Sequence, residues 1–346
     1  MAQQNQLENS PDDAPDKPKT RRTKKSGRAN PMLAVAAAFA ANVVIFIGKA
    51  VVAILSRSTS IMSEAIHSLV DTLDQALLFF GDKRSKRRAD SLHPFGYGRE
   101  KYFYAMIVGT LLFTVGGVYA IYHGVYTLVG GHYGETGLSI WVQIGLLVFA
   151  FVMEGSSLLA GLKIAKQQRA QVAPDDHSRF IVGLLKFVHR TKSAELIICL
   201  LEDSAALAGL VLAFLGVGLA HIFHQPIFDV AGGIAVGVLL TFTGLLILSE
   251  TKSLLLGESS DAALIARIAH TIKSVDGVDK LMELKAINIA PEEILILAKV
   301  DLFARADPED TINAAEKAVR RIDHQTRFYI YVEVDDAPKK LSPAKT

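Results

Sequence analysis

Six apolar runs, each near the length needed to cross a bilayer, dominate this chain and leave few folds open to it. A helical crossing needs roughly 20 consecutive apolar residues. Runs of that kind fall near 32–55, 60–81, 103–129, 138–163, 193–220 and 227–249. Backbone groups in hydrocarbon must bond within their own segment, so each run predicts a transmembrane helix rather than an isolated strand. The mean hydropathy of +0.30 agrees. The expected fold class is a multi-pass α-helical membrane protein with six transmembrane helices and a C-terminal cytoplasmic α+β domain. Four segments follow: a disordered basic tail over 1–30, the membrane domain over 31–257, the α+β domain over 258–336 and a flexible end over 337–346.

The distribution of charge sets the orientation. Lys17, Lys19, Arg21, Arg22, Lys24, Lys25 and Arg28 precede the first run. Lys83, Arg84, Lys86, Arg87 and Arg88 follow the second, and Lys166, Arg169, Arg179, Lys186 and Arg190 follow the fourth. The intervening turns near 130–137 and 221–226 contain no Lys or Arg, and that after the first run has only Arg57. Cytoplasmic loops carry the excess of Lys and Arg, so both termini are expected on the cytoplasmic side. Residues 1–30 are too polar to bury a core and lack the pattern of a cleavable signal peptide. The basic tail fits a membrane-proximal role better than nucleic-acid binding. One cysteine, Cys199, excludes an internal disulfide and any Cys-rich metal cluster.

Beyond Gly257 the period changes. Leu264, Ile265, Ile268 and Ile272 lie at helical spacing. The runs 281–290 and 294–303 read as strands joined at Pro291-Glu292-Glu293. Asp307-Pro308 is an N-cap followed by proline at the first helical position, and 328–334 alternates as a last strand. The predicted order is α-β-β-α-β, with helices on one sheet face.

The second run is the weakest in hydropathy because Glu64, His67, Asp71 and Asp74 interrupt it. Steps of three and four place all four on one helical stripe. Ionisable groups in a membrane face protein or a water-lined cavity, where they find partners. One reading is a buried polar network that orients helices; the other is a cation site. His67 and Asp71, at i and i+4, can ligate one ion, and imidazole with carboxylate suits zinc and other divalent transition metals. Partners are expected from Glu154 in the fourth run and from Glu202 and Asp203 in the fifth. Lys49 and Glu64 lie at similar depth and are expected to form an ion pair. Metal and protons would compete for this site, because binding needs a neutral imidazole and ionised carboxylates. No His-Glu-x-x-His helix is present, which argues against an intramembrane metalloenzyme.

The run Ser63-Glu-Ala-Ile-His67-Ser-Leu-Val-Asp71 resembles the second-helix signature of the cation diffusion facilitators, and His93-Pro-Phe-Gly-Tyr-Gly-Arg99-Glu100 looks like that family's motif before the third helix. Leu200-Leu-Glu-Asp203-Ser-Ala-Ala-Leu-Ala-Gly209 is similar to the zinc transporter 9-like branch. The resemblance covers nearly everything after residue 30. It implies a secondary-active divalent cation transporter, exporting zinc from the cytoplasm by proton antiport with alternating access, usually as a homodimer, here possible through the C-terminal domain. It implies metal ligands His67, Asp71 and Asp203; Cys199 stands where the family has an earlier ligand on helix five, leaving Glu202, Cys199 or water to complete the set. Asp90 and His93 could retain part of a secondary loop site, and His270, Glu333 and Asp335 are the remnants available for a regulatory site in the tail. A bacterial inner membrane is the expected location. Manganese, iron, cobalt or nickel are alternative cargoes, and a non-transporting membrane protein with a degenerate site and a partner-binding tail is the alternative of another class.

Overall fold

The structure is a computed structural model that describes residues 31–131, 138–172, 194–291, 293–323 and 326–335, with backbone alone for 31–38, 41, 167–172 and 194–195. The expected tails 1–30 and 337–346, the turn residues 132–137, and Arg179, Lys186 and Arg190 lie outside the described residues. Chain contacts separate Met1–Ala38 from Phe39–Thr346, and all packing below belongs to the second unit.

Long helices form where the apolar runs predict them: α1 (Pro31–Ser56), α2 (Thr59–Ser85), α3 (Glu100–Gly130), α4 (Ile140–Val172), α5 (Ala194–Phe223) and α6 (Ile227–Leu256). Among the described residues, four segments are long and apolar enough to cross a membrane: Glu100–Gly130, Ile140–Lys166, Leu196–Phe223 and Ile227–Leu256. In α1 the stretch Asn42–Ser56 is apolar but shorter. Helix α2 has the length, 27 residues, and lacks the apolarity.

Packing explains that exception. One core joins Val70 of α2 to Tyr102, Val108 and Leu112 of α3, Ile198 of α5 and Leu240 of α6. A second joins Ile61 and Ala65, again of α2, to Ala53 of α1, Leu147 of α4 and Leu210 of α5. Helix α2 therefore stands between two cores, and Glu64, His67 and Asp74 are buried in protein. Helix α4 shows the opposite pattern, with Trp141 77% and Leu159 68% exposed, as expected of a face turned to lipid.

Helix α3 contains a feature with no warning in the hydropathy. Leu112–Val118 is π-helical, and this stretch meets α6 with almost no side chain between. A Cβ placed on Gly244 would stand 2.6 Å from the backbone nitrogen of Phe113, and one on Gly117 would stand 2.6 Å from the backbone nitrogen of Thr241. Small residues let membrane helices approach in this way, and a π turn realigns the ladder locally.

The C-terminal unit has the expected order: α7 (Ala262–Lys273), β1 (Val278–Ala290), β2 (Glu293–Leu302), α8 (Pro308–Arg320) and β3 (Arg327–Val334). Strand β2 is central, antiparallel to β1 and parallel to β3. Its alternate residues Ile294, Ile296, Ala298, Val300 and Leu302 are buried against Ile268 and Ile272 of α7 and Val319 of α8. Asp307 caps α8 by accepting from the backbone N–H groups of Glu309 (2.9 Å) and Asp310 (3.0 Å). Strand β1 starts at Val278, three residues earlier than expected, because register shifts between Val278 and Lys280 and between Leu281 and Glu283 break the alternation that would reveal it.

Candidate metal site

The α2 stripe folds as its spacing requires. His67 is fully buried, and its Nδ1 lies 3.3 Å from Asp71 Oδ1 one turn on. Neither imidazole nitrogen has a hydrogen-bond partner, nor does that Asp71 oxygen. Buried polar atoms are almost always satisfied, so a bare imidazole beside a bare carboxylate oxygen is an arrangement suited to a cation.

The expected Lys49–Glu64 pair is present. Lys49 Nζ is 3.2 Å from Glu64 Oε2, with both side chains at 0% exposure, and it donates to Ser68 Oγ at 2.7 Å. Breaking such a pair by removing one partner costs about 3–5 kcal/mol. Lys49 thus holds Glu64 through one oxygen while the other, Oε1, stays unpartnered.

Helix α5 brings the remaining acids to α2 and α4. Asp203 Oδ2 accepts from Ser157 Oγ of α4 at 3.0 Å and lies 3.7 Å from Cys199 Sγ. Both carboxyl oxygens of Asp74 on α2, and Glu202 Oε1 on α5, are buried without a hydrogen-bond partner. The structure therefore joins His67 to Asp71 and Asp203 to Cys199 and Ser157. Among the described residues it does not gather three His, Cys, Asp or Glu side chains around a single point. Ser157, a small polar residue three positions after Glu154, reaches Asp203 across 46 residues of chain.

The loop between α2 and α3 is built on hydrogen bonds. Asp90 accepts from Tyr97 Oη (2.6 Å) and from the backbone N–H groups of His93 (2.8 Å) and Leu92 (3.0 Å). These donors, Tyr97 first, hold its carboxyl down at about 2, and the same bond pushes the Tyr97 phenol up. The His93 and Tyr97 rings lie 4.2 Å apart, and the Arg87 guanidinium sits 4.4 Å over Tyr97. With these bonds Asp90 and His93 act as a loop staple. In the tail, Glu333 and Asp335 flank Lys299 at 3.5 and 3.2 Å, with Asp335 the main cause of the raised Lys299 ammonium. His270 sits on α7 and does not join them in any ligating group.

Residues 35–256 match the model of the cation efflux transmembrane domain. The chain belongs to the cation efflux family. Among its relatives, the Xenopus laevis "Proton-coupled zinc antiporter SLC30A9, mitochondrial" is 29% identical over 253 residues, which are 73% of this chain and 43% of that protein. "Metal tolerance protein C4" of Arabidopsis thaliana is 29% identical over 246 residues, 71% of this chain and 51% of the relative. "Magnetosome protein MamM" of Paramagnetospirillum magneticum is 23% identical over 277 residues, 80% of this chain and 77% of the relative. The aligned part thus covers about half or less of the first two relatives. The cation efflux domain contains every candidate residue from Lys49 to Asp203, and the three-stranded unit lies beyond it.

Proposed function

We propose that this cation efflux protein is a secondary-active transporter that exports zinc from the cytoplasm by proton antiport with alternating access. The observation that carries the reading is the fully buried His67, with both ring nitrogens unpartnered, beside Asp71 on a helix shielded by two cores. Family membership and relatives named for proton-coupled zinc antiport support it.

His67 and Asp71 supply the α2 half of the site, and Asp203 with Glu202 supplies the α5 half. In this reading ion capture brings the two halves onto one cation as α5 moves against α2. The Asp203 carboxyl, oriented by Ser157 and released from Cys199, then meets the ion together with that of Glu202. Glu154 and Cys199 are further donors at this depth, and Lys49 keeps Glu64 in reserve. Protons occupy the acids when the ion leaves, which ties release on the far side to proton entry. The donor set is richer in oxygen than in nitrogen, which gives manganese, iron, cobalt and nickel second place as cargo.

The same proposal has α1 and α2 completing six membrane crossings, with both termini cytoplasmic, in a bacterial inner membrane, and the protein working as a homodimer. Metal-specific uptake into vesicles tests the cargo. Zinc should outcompete manganese and iron in the wild type, and His67→Ala should reduce uptake to the protein-free background. Equal zinc uptake by His67→Ala would exclude this site.

A further inference from the structure

The first N–H groups of an α-helix have no partner within it and must be capped. In α2 the accounting is complete: Ser58 N–H donates to Ser56 Oγ at 3.3 Å, and the next two N–H groups donate to another helix. Ser58 Oγ accepts from Ile61 N–H at 3.1 Å, the ordinary local cap. Thr59 N–H donates to Asp229 Oδ2 at 2.6 Å, and Ser60 N–H donates to Asp229 Oδ1 at 3.2 Å. Ser58 Oγ donates its own proton to Asp229 Oδ1 at 2.7 Å. Asp229 belongs to the first turn of α6, 170 residues along the chain from Thr59.

Two further bonds tie the same helices. Ser60 Oγ donates to the Asp229 carbonyl at 2.6 Å, and Ser63 Oγ to the Gly233 carbonyl at 3.2 Å. The helices pass closely at this point: a Cβ on Gly233 would stand 2.7 Å from Thr59 Cγ2 and 2.8 Å from the Thr59 carbonyl oxygen. The connection to α1 is equally short, with Arg57 in the left-handed region at φ 53.

We propose that Asp229 is a positioning residue of the transport site: by capping α2 from α6, it fixes the rotation and depth at which α2 presents His67 and Asp71. This rests on the transport reading above. His67 lies eight residues beyond Thr59 and Asp71 twelve, so the cap acts through roughly 12–18 Å of rigid helix at 1.5 Å per residue. Cap and ligands share one rod, and a shift at its start displaces both ligands together.

The test measures zinc uptake by proteoliposomes of wild type, Asp229→Ala, Asp229→Asn and the double variant Asp229→Ala/Ser58→Asp, with melting in detergent and hydrogen exchange of residues 59–63 on the same preparations. Asp229→Ala should raise the KM for zinc by about tenfold or more, the scale on which loss of a ligand-orienting contact weakens metal sites. A merely structural defect would lower the active fraction and leave KM alone. Asp229→Asn keeps one acceptor oxygen and should recover part of the KM. Ser58→Asp supplies a cap from α2 itself, so the double variant should regain melting temperature without regaining KM. A KM for Asp229→Ala within about twofold of wild type, or full recovery by the double variant, would overturn the proposal. If the wild type moves no zinc, the transport reading fails by itself. Exchange still decides the cap, since unchanged protection of residues 59–63 in Asp229→Ala would refute it.

Discussion

At the scale of single residues, the site is a set of bare acceptors and borrowed donors. Ser157 gives its hydroxyl to Asp203 from a different helix, so Ser157→Ala should lower zinc affinity by about 10–100-fold, as removal of outer-shell partners does; titration of purified protein with zinc checks this. Asp90 offers a pH signature outside the membrane. Its carboxyl is held at about 2 in the fold, below the ordinary value near 3.9. A depressed acid stabilises the fold above its unfolded pKa and loses that contribution as pH falls through the folded value. Wild type should therefore melt above Asp90→Asn at pH 6, and the gap should close as pH falls from about 4 toward 2. A gap that persists at the acid end would deny the Tyr97 and backbone bonds their role. The residues themselves were legible: His67 and Asp71 sat on one stripe, and Lys49 and Glu64 at one depth. The exchange of partners was not, because Asp203–Ser157 and Thr59–Asp229 join distant parts of the chain.

At the scale of elements, hydropathy located the long helices among the described residues and even the anomaly of α2, since a charged helix makes sense only inside a bundle. It gave no sign of the π turn in α3, which answers to backbone contact with α6 rather than to side-chain pattern. Gly244→Ala places a methyl group against the Phe113 backbone, which cannot swing aside as a side chain can. Overpacking of this kind costs about 1–3 kcal/mol, and a lower melting temperature in detergent is the expected result. The tail was legible from strand alternation wherever the ladder is regular, as in β2, and obscured where β1 is bulged. Ile296, fully buried at the centre of β2, reports on that unit. Ile296→Ala should destabilise it by about 2–5 kcal/mol, seen as increased protease cleavage after Gly257.

At the scale of the whole molecule, two cores share α2 and α5, so the helices that carry the candidate ligands are also those on which both halves of the bundle rest. A shift of α5 against α2 would assemble the ligands and repack both cores together, which is how a local ion can drive a global change of access. In the proposed transport the same acids carry the protons. Zinc-loaded proteoliposomes with an imposed pH gradient measure it directly. Zinc should leave wild-type vesicles faster when the opposing side is acidic, stop responding when the gradient is collapsed, and stay at background in Asp71→Ala. Zinc release indifferent to the gradient, or undiminished in Asp71→Ala, would contradict proton-coupled transport through this site.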